Sequence, residues 1–304
     1  MYKRFLLLLL AGALTWSPQS QAAETPETVL IRRALDNVKF GYRRADLDLA
    51  LSAFAPQVVV YEGNSNADPR GWTVRYESHD AFVQALTADL AQNQYELERS
   101  VPSIHVAGAK ALVTTIDSGR VVNRQDKSSR PLYDRRLWTF VKQEDAWLAT
   151  SFVQNLGDST LAAQANAAAD GPVAQILEEE RKAWEDGRSG SITDHFDEDF
   201  SGYAGAAALA PASWTILFQD IETFKTWTDK RLQFTDYALQ RQMLYAHVGS
   251  QGQEAIALTR DKVSTSYKNG PAAHAQDRYV LWTLSRRSGS WKITNMVYDI
   301  GLQH

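Results

Sequence analysis

The chain repeats itself. At an offset of 142 residues Phe54 falls on Phe196, Tyr61 on Tyr203, Trp72-Thr73 on Trp214-Thr215, Phe82 on Phe224, Tyr95 on Tyr237, Arg99 on Arg241 and His105-Val106 on His247-Val248. Two extra residues enter the second copy near Gly249 to Gly252, and the offset becomes 144: Thr115 meets Thr259, Trp138-Thr139 meets Trp282-Thr283, Trp147 meets Trp291 and Gly157 meets Gly301. Matched Trp and Tyr rarely coincide by chance, and an insertion of this length reads as a hairpin loop. One domain is written twice, so function is to be read from one unit and from the positions at which the copies differ.

The first residues stand outside that repeat. Lys3 and Arg4 precede an apolar run from Phe5 to Leu14, and Ser20-Gln21-Ala22 offers small residues at cleavage spacing, the pattern of a secretory signal peptide over 1–22. The run is about half of the ~20 residues that a spanning helix needs, so no membrane association is expected after cleavage. With no Cys among 304 residues, the expected location is the periplasm, or the medium. Removing Lys3 and Arg4 leaves 30 basic against 36 acidic residues, a net charge of -6 in place of -4. Such a chain lacks the basic stripe that nucleic acid requires.

Within a unit, Ile31, Ala34, Leu35, Val38 and Tyr42 fall on one helical face, with Val173, Ile176, Leu177, Glu180 and Trp184 as equivalents. A short second helix ends near Phe54 and Phe196. Val58 to Tyr61 and Trp72 to Tyr76 read as strands, with an irregular stretch from Asn64 to Gly71 between them. A third helix runs from His79 to Leu90. Four long strands follow: Tyr95 to Val106, Ala111 to Val122, Leu132 to Val141 and Trp147 to Leu156. Helices followed by strands indicate an α+β fold, with helices on one face of a curved antiparallel sheet and a pocket at the open end of the cone. The expected boundaries are 24–157 for the first domain, 158–172 for an Ala-rich linker and 173–301 for the second domain.

The helical hairpin leading into Val58-Val59-Val60-Tyr61-Glu62-Gly63, the Trp72-Thr73 strand and the closing pair Trp138 to Trp147, repeated as Trp282 to Trp291, carry a resemblance. The chain resembles the NTF2-like (cystatin-like) superfamily, in its SnoaL-like and DUF4440-like branch, twice over. That resemblance implies two cone domains and pairing through the outer sheet face, here as an intrachain pseudo-dimer, with further homo-oligomerisation left open. It transfers no catalytic motif, because fold does not fix function.

Candidate residues each carry two readings. His105 and His247 suit general acid/base work or a strand-end packing role. Arg99 and Arg241 lie six residues earlier, on the same strand face as the His; they would hold an anion or bridge to a neighbouring carboxylate. Glu180 interrupts an apolar stripe where the first copy has Val38, as a cavity-facing acid with a raised pKa or as a solvated edge. Glu62, Asp117 and Asp134 become Ala204, Asp261 and Arg278 in the second copy, so the polar equipment differs. Tyr61, Trp72, Tyr76, Tyr203 and Trp214 are candidate pocket walls or core. No metal-ligand spacing and no nucleotide or nucleophile-elbow motif occurs, so no metal and no cofactor are expected.

Three functional classes follow. The first is a binding protein for a small, partly apolar ligand, without catalysis. The second is a cofactor-free isomerase, cyclase or dehydratase of the SnoaL or ketosteroid-isomerase kind, pairing His105 with Glu62 or Asp117, or His247 with Glu180. The third is a protein–protein interaction module, whose cones would be filled by its own Trp and Tyr.

Overall fold

The structure, a computed structural model, describes residues 24–157, 171–268, 270, 274–286 and 289–302. The signal-peptide segment and residues 158–170 of the Ala-rich linker lie outside them.

The first unit opens with α1 (Pro26–Arg44), started by the Thr25 hydroxyl accepting the Thr28 N–H, with Pro26 at its first position. Its buried stripe is Ile31, Leu35, Val38, Gly41 and Tyr42. A left-handed Ala45 (φ 53°) ends it and leads into α2 (Leu47–Leu51). The rest is β1 (Phe54–Asn66), β2 (Thr73–Tyr76), α3 (His79–Gln92), β3 (Asn93–Ala107), β4 (Lys110–Asn123), β5 (Ser129–Gln143) and β6 (Ala146–Leu156). β1 extends to Asn66, through part of the stretch that reads as irregular, because β6 continues to pair with it as far as Asn66 opposite Leu156.

The second unit repeats this order as α4 (Pro172–Glu185), α5 (Ser189–Thr193), β7 (Phe196–Ala204), β8 (Thr215–Phe218), α6 (Ile221–Phe234), β9 (Thr235–Val248), β10 (Glu254–Tyr267), β11 (His274–Ser285) and β12 (Lys292–Ile300). The two sheets have matching strand orders, β2-β1-β6-β5-β4-β3 and β8-β7-β12-β11-β10-β9. All pairs are antiparallel except β1–β6 and β7–β12.

Each sheet curls around its own helices. Trp138 and Trp282 fill corresponding places at the cone centres, 0% and 1% exposed, and each indole N–H donates to the equivalent hydroxyl, Thr115 (2.9 Å) or Thr259 (3.0 Å). Burying such a side chain contributes roughly 1.5–3 kcal/mol, and the hydrogen bond removes the cost of a buried N–H. A third apolar cluster lies on the outer sheet faces and draws on both units: Tyr61, Trp72, Leu112 and Val153 from the first, and Tyr203, Trp214, Leu258 and Val297 from the second, are among its members. The sheets thus share a core, and the Tyr245 hydroxyl crosses it to donate to the Trp72 carbonyl at 2.6 Å.

Candidate functional site

Bulges decide which side chains enter the cones. Opposite β4, Ser100 pairs with Ile116 but Ser103 pairs with Thr114, so β3 spends one extra residue there. One extra residue reverses the alternation of faces. Leu97 lies in the inner core and Arg99 reaches the helix behind it, whereas beyond the bulge Ile104 and Val106 pack inward. His105 therefore points outward. Its Nε2 lies 3.2 Å from the Ala212 carbonyl of the other unit. β9 carries the matching irregularity, where Thr259 pairs with Met243 but Leu258 with Tyr245. His247 accepts the Val74 N–H at Nδ1 (3.3 Å), and burial holds its pKa below the usual imidazole value while the Glu77 carboxylate pulls the other way. The expectation that His and Arg share a face is corrected by these bulges, and with it the pairing of either His with a carboxylate inside a cone.

In the first cone, Arg99 on β3 faces Asp117 on β4 and binds it bidentately (2.6 and 2.7 Å), while its third nitrogen donates to the Leu35 carbonyl of α1 at 2.8 Å. Both side chains are almost fully buried. Burial pushes the Asp117 carboxyl up, but the Arg99 and Arg136 guanidinium groups outweigh it and hold its pKa below the ordinary value. Arg136 donates to Asp134 at 2.6 Å, and Asp134 in turn accepts the Asn155 N–H at 2.6 Å. Nearer the mouth, Glu62 is held by Arg75 and by Gln154 (2.9 Å). A cavity of about 360 Å³ remains, lined by Tyr42, Glu62, Tyr76, Tyr95, Tyr133 and Arg136 among others.

The second cone keeps the Arg99–Asp117 pair as Arg241–Asp261 (2.8 Å), with Arg241 donating to the Leu177 carbonyl at 2.6 Å just as Arg99 does to Leu35. Glu180 turns inward, 1% exposed, and each oxygen is occupied: Oε1 by the Trp184 indole (2.7 Å), Oε2 by Arg241 (2.7 Å). Burial alone would lower the Arg241 pKa, but Glu180 and Asp261 more than offset it. Arg136 has become Val280, and Asp134 has become Arg278. Arg278 lies 4.7 Å over the Tyr298 ring, and its buried Nε has no hydrogen-bond partner. The Tyr237 hydroxyl is likewise buried without a geometric hydrogen bond; burial raises its pKa, with Arg231 pulling the other way. A cavity of about 180 Å³ is walled by Trp184, Trp227, Tyr237, Trp282 and Tyr298. Arg278 and Trp227 also line a wider outer space of about 610 Å³.

Of the residues singled out in the sequence, Glu62, Tyr76, Arg99 and Asp117 belong to the first cone, and Glu180 and Arg241 to the second. Tyr61, Trp72, Tyr203 and Trp214 do not wall a cone: they lie in the shared core between the sheets, because the face that pairs the units takes their side of each strand. Tyr61 and Tyr203 border a cavity of about 60 Å³ there. Arg136, Tyr237 and Tyr298, which the sequence reading left out as pocket residues, line the two cavities; strand alternation signalled Arg136, two residues from Trp138, and Tyr298, two residues from the Met296 that pairs with Trp282. Among the described residues no group of three or more His, Asp or Glu side chains is gathered as a metal would need, and no helix is long and apolar enough to cross a membrane.

No protein-family model matches the chain, and no curated protein matches it. Solved structures do. A ketosteroid isomerase-like protein from Erwinia carotovora atroseptica SCRI1043 is 13% identical, with 44% of this chain and 98% of that one covered and a TM-score of 0.37. An NTF2-like protein from Shewanella baltica OS155 gives 14%, 42%, 91% and 0.32 for the same quantities. A domain with a cystatin-like fold from Nostoc punctiforme PCC 73102 gives 13%, 45%, 80% and 0.34. Each covers about the share of the chain that one unit occupies. In fold, this chain is a tandem of two α+β cones similar to NTF2-like and ketosteroid isomerase-like proteins.

Proposed function

We propose that the chain is an exported binding protein that takes a small, partly apolar molecule into its cones and leaves it chemically unchanged. The observation that carries this reading is the contrast between open, aromatic-walled cavities and spent chemistry. The cone carboxylates Glu62, Asp117, Asp134, Glu180 and Asp261 are all held by guanidinium groups or N–H donors, and both matched imidazoles point to the other unit. A carboxylate tied to a guanidinium is a weak base, because the cation stabilises its charged form, and neither cone sets an imidazole beside one.

The alternative is a cofactor-free isomerase, cyclase or dehydratase. It would have to work with Glu180 or Glu62 after displacing an Arg contact, without a His beside it. An interaction module is disfavoured by the open cavities. The signal-like leader supports export, and the shared core between sheets supports an intrachain pseudo-dimer.

A thermal-shift screen of the mature chain against small organic acids, amides and aromatic alcohols tests the reading. Stabilisation by at least one class, with every stabilising compound recovered unaltered after long incubation, is the expected outcome. A screen without any shift, or conversion of a bound compound, would count against it.

A further inference from the structure

We infer that the second cone selects a carboxylate carried on a flat apolar body, a monocyclic aromatic acid, with Arg278 as its anchor. This rests on the binding reading above and specifies its ligand class. The walls supply the body's half of the site: the Trp184 ring packs on Tyr237 (centroids 4.8 Å, 53°) and edge-on to Trp227 (6.0 Å, 70°), so the three form one continuous aromatic wall of the cavity.

The polar groups supply the other half. Glu180 accepts from the Trp184 indole and from Arg241, and Asp261 is held by the same Arg241, so the inner carboxylates are already paired with a buried cation. The donors are different. Arg278 pairs with no carboxylate among the described residues, and its buried Nε–H has no partner; the Tyr237 hydroxyl makes no geometric hydrogen bond, although Arg231 lies close enough to pull its pKa down. A buried donor without an acceptor costs about 1–3 kcal/mol, and a carboxylate satisfies an Arg bidentately. The inner cavity is lined by three guanidinium groups, Arg231, Arg241 and Arg278, against two carboxylates, Glu180 and Asp261. At the outer space Asp277 is taken by Arg260 (2.8 and 2.7 Å), and Asp299 sits on the rim. A cationic ligand would meet that excess of positive charge.

The first cone makes the contrast. At the position of Arg278 it has Asp134, which ties Arg136 and the Asn155 N–H together. Its inner cations are locked, so the inference is confined to the second cone.

The test uses the full mature chain with benzoate and phenylacetate as probes and benzamide and benzylamine as controls, read by calorimetry and tryptophan fluorescence. The acids should bind at least ~10-fold more tightly than benzamide, as expected of a charge-assisted contact over a neutral one. Arg278→Met should abolish that preference, and Tyr237→Phe should weaken the acids about two- to fivefold, the effect of one hydrogen bond. Arg33→Met, at an exposed position of α1 that lines neither cone cavity, should change neither. Equal binding of acid and amide, tighter binding of benzylamine, or an Arg278→Met protein that binds benzoate as the parent does would overturn the inference while leaving the general binding reading in place. Absence of binding by every one of these probes also overturns it; only a blank broad screen would remove the general reading as well. Should Arg278→Met fail to fold, the acid-to-amide ratio of the parent chain and of Tyr237→Phe still decides.

Discussion

The Glu77 carboxylate, carried by the first unit, accepts the backbone N–H of Gln253 in the second at 2.7 Å. It also accepts the N–H groups of Gln251 and, at 3.0 Å, Glu254. These donors belong to the hairpin of the two-residue insertion. A Cβ on Gly249 would come within 2.3 Å of the Glu77 side chain, so that turn needs its glycine to admit the carboxylate. The inserted loop is a fixed anion nest at the junction of the units.

Replacing that carboxylate should loosen the junction. Hydrogen bonds to a charged group contribute about 1.5–3 kcal/mol and do not add fully, so Glu77→Ala should lower unfolding stability by about 2–4 kcal/mol, and Glu77→Gln by less. Urea unfolding measures the loss. An unchanged midpoint for Glu77→Ala would show that the nest does not hold the units.

The paired cations of the cones should behave unlike the free one. Arg99→Met or Arg241→Met strands a buried carboxylate and should cost about 3–5 kcal/mol, whereas Arg99→Met with Asp117→Leu should cost less than Arg99→Met alone. Arg278→Met breaks no ion pair and should fall within ~1 kcal/mol of the parent chain. Thermal unfolding of the four variants side by side checks the order, and a large loss for Arg278→Met would contradict it.

Acid should destabilise the fold in two stages. His247 has a lowered pKa, so the unfolded chain takes up a proton first: its contribution is intact above the ordinary imidazole value, ~6.5, and falls as the pH drops through the folded value. His247→Gln should flatten the stability profile as the pH falls below ~6.5. Asp117 is also lowered, so its contribution holds above the ordinary carboxyl value, ~3.9, and is lost below it. A His247→Gln profile that parallels the parent's would refute the first stage.

Filling the cone centres should be required twice over. Trp282→Ala and Trp138→Ala each remove a fully buried indole and strand a hydroxyl, Thr259 or Thr115, for an expected ~3–5 kcal/mol each. Circular dichroism during denaturant unfolding would show it. A near-neutral Trp282→Ala would mean that the second cone is not packed around that ring.

The repeat, the order of elements and the cone architecture were legible in the sequence, because matched Trp138/Trp282 and the helical stripes mark the same packed surfaces in both copies. Of the positions that break the match, Asp134, Glu180 and Arg278 line the cone cavities, while Val38 is packed in the core of the first unit. What the sequence hid was parity. Pro102 is the one mark of the bulge between Ser100 and Ser103 that turns His105 away from Arg99, and the matching bulge between Met243 and Tyr245 carries no such mark. Equally hidden was the division of aromatics, since Tyr61, Trp72, Tyr203 and Trp214 look alike whether they line a cone or bind two sheets together. Register and bulges arise from pairing between distant strands, which periodicity along one strand does not report.

Gln219, the equivalent of Glu77, faces the Gly108 hairpin of the first unit so closely that a Cβ there would meet its Oε1 at 1.9 Å. One junction is therefore ionic and its mirror neutral, an arrangement closed to two identical subunits, in which both sides carry the same residue. Joining the copies in one polypeptide frees each half to change alone. The first can remain a tightly bolted buttress while the second gives up a bolt and turns it into a handle.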